Sequence, residues 1–341
     1  MARVCVTGAA GFIGGHVAEE LLTQGYEVIA LDDFSSGNRD TAVLLSTHPG
    51  FRLIEGSIAD PQAVSRAVAG AKWVFHLAAI PSVPLSMKEP ERTNAVNVGG
   101  TVNVLQAAVR SKVERVVLAC SCAAYGDGPE QPKHERLLPR PISPYAAQKV
   151  TAELYAQTYT RAYGLPCVGL RFFNVYGPRQ DPNSEYAAAI PRFVTRLLCG
   201  QRPIVFGDGL QTRDFVHVKD VVRAHLLAAV APNAPGEIIN VASGKSASLL
   251  ELISLIAKAV GPEAAHLTPE HQAARAGDLR ASSADLTKAR EVLGYEPSVT
   301  LAEGLEELVG WWSAALRSPS ASREAAEGPA AAATRNAAAR R

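Results

Sequence analysis

The sequence predicts an α/β fold, a doubly wound parallel sheet covered by helices on both faces, with a smaller C-terminal lobe. Three observations carry this. Short apolar runs alternate with helix-periodic stretches through the first half of the chain, a glycine-rich turn joins the first run to the first helix, and after Asn174 the alternation gives way to shorter elements punctuated by Pro and Gly. Apolar runs without polar alternation belong to strands buried on both faces, the environment inside a parallel sheet flanked by helices.

Taken in order, Arg3 to Thr7 reads as the first strand, Phe12 to Gln24 as a helix and Glu27 to Leu31 as the second strand, together one βαβ unit. Strands follow at Phe51 to Glu55, Trp73 to His76, Arg115 to Cys120 and Pro166 to Arg171. Helices are predicted from Pro61, from about Arg92 to Arg110, and from Pro144 to Tyr163, the last with Ser143 as N-cap and Pro144 at the first helical position. Glu237 to Val241 is expected to join the main sheet. Residues 1–175 are thus read as the doubly wound main domain to which 221–243 return, and 176–220 with 244–316 as the smaller lobe. Residues 317–341, rich in Ala, Ser and Arg, have little to bury and are expected to be a disordered tail.

Composition narrows the function classes. With 341 residues the chain can bury a large core, and a net charge of +1 with both signs scattered offers no electrostatic footprint for nucleic acid or an anionic membrane. No apolar run approaches membrane-spanning length, and Met1 leads directly into a strand rather than a signal peptide, so a cytoplasmic protein is expected. The five cysteines, Cys5, Cys120, Cys122, Cys167 and Cys199, lack metal-type spacing, and the histidines do not converge, so no metal site is expected. His76, inside the apolar FHLAA run, reads as a packed strand histidine.

Two motifs carry chemistry. Directly after the first strand, Thr7-Gly8-Ala9-Ala10-Gly11-Phe12-Ile13-Gly14 opens the first helix. Glycines there let the backbone turn tightly and approach a pyrophosphate, which then rests on the helix N-terminus. Asp32, at the end of the second strand, is placed to accept both adenosine ribose hydroxyls, which favours NAD over NADP, with Arg39 nearby as the one cation that weighs the other way. The second motif is Ser143-Pro144-Tyr145-Ala146-Ala147-Gln148-Lys149, which puts Tyr145 and Lys149 at i and i+4 on one helix face. An ammonium beside a phenol, helped by a cationic nicotinamide ring, is expected to lower the tyrosine pKa and make Tyr145 a general base for a sugar or alcohol hydroxyl.

With these motifs in hand, the chain resembles the extended short-chain dehydrogenase/reductase family, in its nucleotide-sugar 4-epimerase group. The carriers are TGAAGFIG, LDD at 31–33, HLAA at 76–79, the serine of SCAAYG, SPYAAQK, RFFNVYGPRQ at 171–180 and TRDFVHVKD at 212–220, and the resemblance runs from Val4 to about Trp312. It implies a Rossmann-type domain holding NAD tightly, a lobe that clamps a UDP-sugar, and a homodimer built on the helices Arg92 to Arg110 and Pro144 to Tyr163. Its catalytic group here is Ser121, Tyr145 and Lys149. For the cofactor it implies Gly8, Gly11, Phe12, Ile13, Gly14, Asp32, Asp33, Phe34, Ser36, Gly37, Ser57, Ile58, Leu77, Ala78, Ala79, Asn97 and Phe172, besides Tyr145 and Lys149. Two positions depart from the pattern: Ser57 stands for an aspartate near the adenine and Pro81 for a lysine near the nicotinamide.

The same resemblance implies a substrate set. Ser121 and Tyr145 would meet the 4-hydroxyl with Ser82 and Cys122 alongside; Asn174, Arg213 and Arg275 would hold the diphosphate; Phe206 and Asp278 the uridine; and Ala188, Ala189, Ile190 and Ser282 the pocket wall. Arginine suits the task because its planar fork meets phosphate oxygens in pairs. Two reactions compete. Related dehydratases place an acid at the two positions after the serine, here Cys122 and Ala123, and alanine transfers no proton. The loop therefore supports oxidation at C4 followed by hydride return to the opposite face, a 4-epimerisation. A nucleotide-sugar dehydratase is the alternative, since some relatives carry a cysteine at the Cys122 position. Ser282, where glucose- and galactose-restricted relatives carry tyrosine, together with the small residues of Tyr186 to Pro191, points to UDP-GlcNAc and UDP-GalNAc, with UDP-Glc and UDP-Gal also within reach.

Overall fold

The computed structural model describes residues 1–180, 189–274 and 279–317, so the tail beyond Arg317 lies outside the described residues. The chain divides into two compact units, one formed by Met1–Val175, Arg213–Ser246 and Ala281–Val299, the other by the described residues of Tyr176–Thr212, Ala247–Arg280 and Thr300–Arg341.

The first unit is built on β1 (Arg3–Thr7), α1 (Phe12–Thr23), β2 (Glu27–Asp32), α2 (Arg39–Ser46), β3 (Phe51–Glu55), α3 (Pro61–Val68), β4 (Trp73–His76), α4 (Val83–Lys88), α5 (Pro90–Asn94), α6 (Thr101–Arg110), β5 (Arg115–Ser121), α7 (Pro144–Tyr163) and β6 (Cys167–Phe172). Its sheet runs β3-β2-β1-β4-β5-β6, followed by the strand Ile238–Val241, and every pairing is parallel. This is the doubly wound order, with a topological switch between β1 and β4 where ligands bind in such sheets. Successive residues of β1 face opposite cores. Val4 and Val6 pack with Val17 and Leu21 of α1 on one face; Cys5 packs with Val64 of α3 and Leu105 of α6 on the other. Truncating a fully buried strand leucine such as Leu31 of β2 to alanine would cost about 2–5 kcal/mol, which is why these strands read as unbroken apolar runs.

Two expectations change. The helix predicted over Arg92 to Arg110 is three pieces, α5, a π-helical turn Ala95–Gly100 and α6. Gly100 sits where a Cβ would lie 2.6 Å from Ile58 Cδ1, so the turn presses onto the loop after β3. Residues 213–220 and 281–299, read from sequence as part of the smaller lobe, belong to the first unit. Buried carboxylates hold them there. Asp214 accepts hydrogen bonds from Ser243 N and Oγ, Gly244 N and Ala284 N at 2.7–3.3 Å, and Asp220 from Ser298 N and Oγ and Val299 N at 2.7–3.1 Å.

The second unit contains the helices Ala189–Leu198, Leu249–Val260 and Leu301–Arg317, which bury Ile190, Phe193, Leu197, Leu252, Ile256, Leu305 and Leu308. Ser248 and Glu251 form a capping box at the start of Leu249–Val260. The short strands Ile204–Phe206 and Glu270–Gln272 pair in parallel.

Candidate active site

The turn after β1 is shaped so that little but glycine fits. Gly8 has φ +74°, and a Cβ on it would meet Ala78 N at 2.7 Å; a Cβ on Gly14 would lie 2.0 Å from Gly8 O. Gly11 is the N-cap of α1 with no side-chain cap, so the N–H groups of the first turn, at Phe12, Ile13 and Gly14, are left without the capping side chain most helices use. Asp32, 7% exposed, accepts from Ala10 N at 2.8 Å and Phe34 N at 2.9 Å. Burial raises its pKa, and these two N–H donors work against that rise. Gly37 packs on Asp32 Oδ1, where a Cβ would come within 2.8 Å. Asp33 and Ser36 are exposed beside it, and Asp33 accepts from Ser35 N at 2.9 Å. The glycine cradle, the uncapped helix start and the buried carboxylate between them fit a dinucleotide. Ser57 turns to its own loop, accepting from Ala59 N at 3.3 Å, while Ile58 is buried against the π-helical turn.

A chain of hydrogen bonds runs from this cradle to α7. Ala78 N donates to Thr7 Oγ1 at 3.2 Å, Thr7 Oγ1 lies 2.8 Å from His76 Nδ1, His76 Nε2 lies 3.0 Å from Thr101 Oγ1, and Thr101 Oγ1 donates to Asn97 O at 2.6 Å. Because Thr101 spends its proton on the Asn97 carbonyl, it accepts from His76 Nε2–H, and Nδ1 then accepts from Thr7. This tautomer is that of a neutral ring, which the lowered pKa supplies. Burial first and Lys149 second hold its pKa down at about 3. Asn97 carries the chain onward: its Oδ1 accepts from Ile80 N at 2.7 Å, and its Nδ2 donates to Ile80 O at 3.1 Å and to Gln148 Oε1 at 2.8 Å. Gln148 donates in turn to Thr93 Oγ1 at 2.9 Å. Asn97 thus anchors the Leu77-Ala78-Ala79-Ile80 loop to α7, with both amide protons already used.

Ser121 ends β5 opposite Phe172, its register partner on β6, and accepts from Ala123 N at 3.2 Å. Phe172 is buried with its ring 5.3 Å from that of His225. Tyr145 and Lys149 stand on the first turns of α7, which starts at Pro144 with the Ser143 hydroxyl accepting from Ala146 N, as the sequence predicts. Tyr145 N donates to Ser86 Oγ at 3.0 Å, fixing the helix start from α4. The expected lowering of the phenol pKa is not what the protein alone produces. Burial pushes Tyr145 up to about 12, and the Ser121 hydroxyl is the group that draws it down. Lys149 Nζ donates to Ala119 O at 2.8 Å and lies 5.9 Å from the centre of the Tyr145 ring, and it is not among the groups that shift the phenol.

The remaining predicted residues distribute over both units. In the first, Cys122 feels both Asp214 and Arg213, and burial pushes its thiol up to about 12. Asn174 is half-buried at the start of the short strand Asn174–Tyr176. Ser82, expected to face the sugar, is buried and caps α4 by accepting from Leu85 N at 2.9 Å. Ser282 is 7% exposed, and the peptide groups on either side of it are held by Gln131, which donates to Ala281 O at 2.9 Å and accepts from Ser283 N at 3.0 Å. In the second unit, Ala189 and Ile190 begin the helix Ala189–Leu198, and Phe206 O accepts from Gln211 Nε2 at 2.8 Å. Ala188, Arg275 and Asp278 lie outside the described residues. Sequence reasoning missed Ser86, Gln148, Thr93 and Gln131, polar residues whose partners are far along the chain and leave no local signal. Among the described residues no group of three His, Cys, Asp or Glu could hold a metal, and no helix is long and apolar enough to cross a membrane.

Residues 4–242 match the NAD dependent epimerase/dehydratase family. The UDP-glucose 4-epimerase of Mycolicibacterium smegmatis is 42% identical over 309 residues, covering 90% of this chain and 97% of that protein. Among solved structures, the UDP-N-acetylglucosamine 4-epimerase from Methanobrevibacter ruminantium M1, in complex with UDP-N-acetylmuramic acid, superposes with a TM-score of 0.87 at 35% identity, covering 92% of this chain and 99% of that one. The UDP-glucuronic acid 4-epimerase from Bacillus cereus, in complex with UDP-glucuronic acid and NAD, gives 0.84 at 32% identity, covering 92% and 99%.

Proposed function

Because the chain belongs to the NAD dependent epimerase/dehydratase family and is an NAD-binding enzyme of that family, we propose that it is a UDP-sugar 4-epimerase that interconverts UDP-GlcNAc and UDP-GalNAc, and UDP-Glc and UDP-Gal as well. The observation that carries this reading is that the Ser121 hydroxyl at the end of β5 is the group drawing the pKa of the buried Tyr145 phenol down, with no acid at the two positions after Ser121. Cys122 holds its proton up to about pH 12 and Ala123 has none to give. NAD, which the Gly8–Gly14 turn and Asp32 would hold, would supply the hydride acceptor and donor at C4. Tyr145 takes the 4-hydroxyl proton, and Ser121 orients that hydroxyl and favours the phenolate. Lys149, anchored on Ala119 O, keeps a positive charge beneath the ring. The 4-keto sugar turns in the pocket and regains hydride on its other face while Tyr145 gives the proton back. Ser282 supports the acetamido preference because a serine leaves room that a phenol ring would fill.

The test is product analysis by mass spectrometry and NMR after incubation with a panel of UDP-sugars. Epimers of unchanged mass, with the acetamido pair turned over at least as well as the plain hexoses, support the proposal. A product one water lighter would instead establish the dehydratase. We further propose a homodimer through α6 and α7, where Leu154, Tyr155 and Tyr163 are exposed. Light scattering showing a monomer at micromolar concentration would contradict it.

A further inference from the structure

An ion pair at the rim of the cofactor cradle bears on which dinucleotide the protein accepts. Glu55 ends β3 and is the register partner of Asp32 at the end of β2. The loop from Gly37 wraps Asp32 closely, Asn38 caps α2 by accepting from Asp40 N at 2.8 Å, and Arg39 is the first residue of α2. The Arg39 guanidinium lies 4.1 Å from the centre of the Phe34 ring. Its Nη2 donates to Glu55 Oε1 at 2.7 Å and its Nη1 to Glu55 Oε2 at 3.3 Å, a two-point fork on an otherwise exposed surface.

A guanidinium beside the ribose carboxylate is the group that would receive a 2′-phosphate, since its planar fork matches phosphate oxygens. Here that fork is filled by Glu55. We propose that Glu55 is a cofactor-specificity residue: it occupies the Arg39 guanidinium, so that a dinucleotide carrying a 2′-phosphate meets Asp32 without the free cation that would otherwise attract it. The inference rests on Asp32 as the ribose-binding group. Asp32 excludes the phosphate by itself only at one point, and the adjacent cation would offset that exclusion if it were free to turn. Glu55 removes the offset. Both partners are solvent-exposed, so the pair contributes little to folding, and its removal leaves the cradle intact.

The test titrates cofactor-stripped protein with NADH and with NADPH, following nucleotide fluorescence, for the wild type, Glu55→Ala, Glu55→Ala/Arg39→Ala and Asp32→Ala. Glu55→Ala should bind NADPH about two- to fivefold more tightly than the wild type, the scale expected for an exposed pair, with NADH affinity unchanged. Adding Arg39→Ala should erase the gain. NADPH affinity unchanged in Glu55→Ala, or a gain that survives Arg39→Ala, overturns the proposal. Asp32→Ala should lose NADH; if it does not, the ribose assignment beneath the proposal fails, whatever Glu55 does.

Discussion

Replacing Gly14 by alanine would test the cofactor cradle most sharply. The new Cβ would lie 2.0 Å from Gly8 O and 2.7 Å from Gly8 C. Ordinary contact begins at 3.4 Å, so α1 must move about 1.4 Å away from the turn, because a packed interior has no void to absorb the difference. The obstacle is backbone on both sides, and no rotamer change relieves it. We expect a loss of about 1–3 kcal/mol in stability, the usual cost of overpacking. The same displacement withdraws the first-turn N–H groups from the pyrophosphate position, so NAD affinity should fall by at least about tenfold, in line with the sensitivity of bound geometry to ångström shifts. Urea unfolding reads the first effect; nucleotide released on denaturing the purified protein reads the second. Gly15→Ala is the close comparison, because its Cβ would press on Thr41 Cγ2 at 2.7 Å, a side-chain methyl, while Ala9 O, at 3.4 Å, is at ordinary contact. Gly310→Ala, in the helix Leu301–Arg317 with no atom within 4 Å, should stabilise by about 0.5–1 kcal/mol. If Gly14→Ala unfolds with the wild type and keeps its NAD, the close approach of α1 to the Gly8 turn is not what shapes the site.

Tyr145→Phe should reduce turnover by at least about 100-fold, the lower end of what a positioned acid–base group contributes, with the unfolding midpoint unchanged. Ser121 lowers a phenol pKa that burial raises, so Ser121→Ala must raise it further. The rising limb of kcat/KM against pH should then move to higher pH by about 1–2 units, as for loss of one hydrogen bond to a charged group, and a limb that stays in place would remove Ser121 from this role. Cys122→Ala should retain most activity, since a thiol protonated up to about pH 12 is no base near neutrality; a variant as inactive as Tyr145→Phe would make the thiol chemical and favour elimination. Ser282→Tyr should lose the acetamido substrates selectively in side-by-side kinetics, and an equal loss on UDP-Glc and UDP-Gal would dismiss Ser282 as a pocket wall.

Much of this protein is legible along the chain because the forces involved act over a few residues. A strand buried on both faces must be apolar throughout, so the sheet shows in runs such as Val4 to Val6 and Val116 to Leu118. A backbone turning at positive φ and packing at 2–3 Å demands glycine, so Gly8 and Gly14 announce the cradle. The Ser143-Pro144 start and the four-residue spacing of Tyr145 and Lys149 follow from helix geometry alone. Tertiary structure decided the rest. The segments 213–220 and 281–299 join the first unit because Asp214 and Asp220 find backbone donors 29 to 79 residues away. His76 and Asn97 become links between the cradle and α7 only once β4, the π-helical turn and α7 are assembled. The ionisation of Tyr145 depends on burial and on which neighbour reaches it, and here that neighbour is Ser121 at the end of β5. Spacing sets which residues share a face. Desolvation and the choice of hydrogen-bond partner are set by every element packed around them, so they exist only in the folded protein.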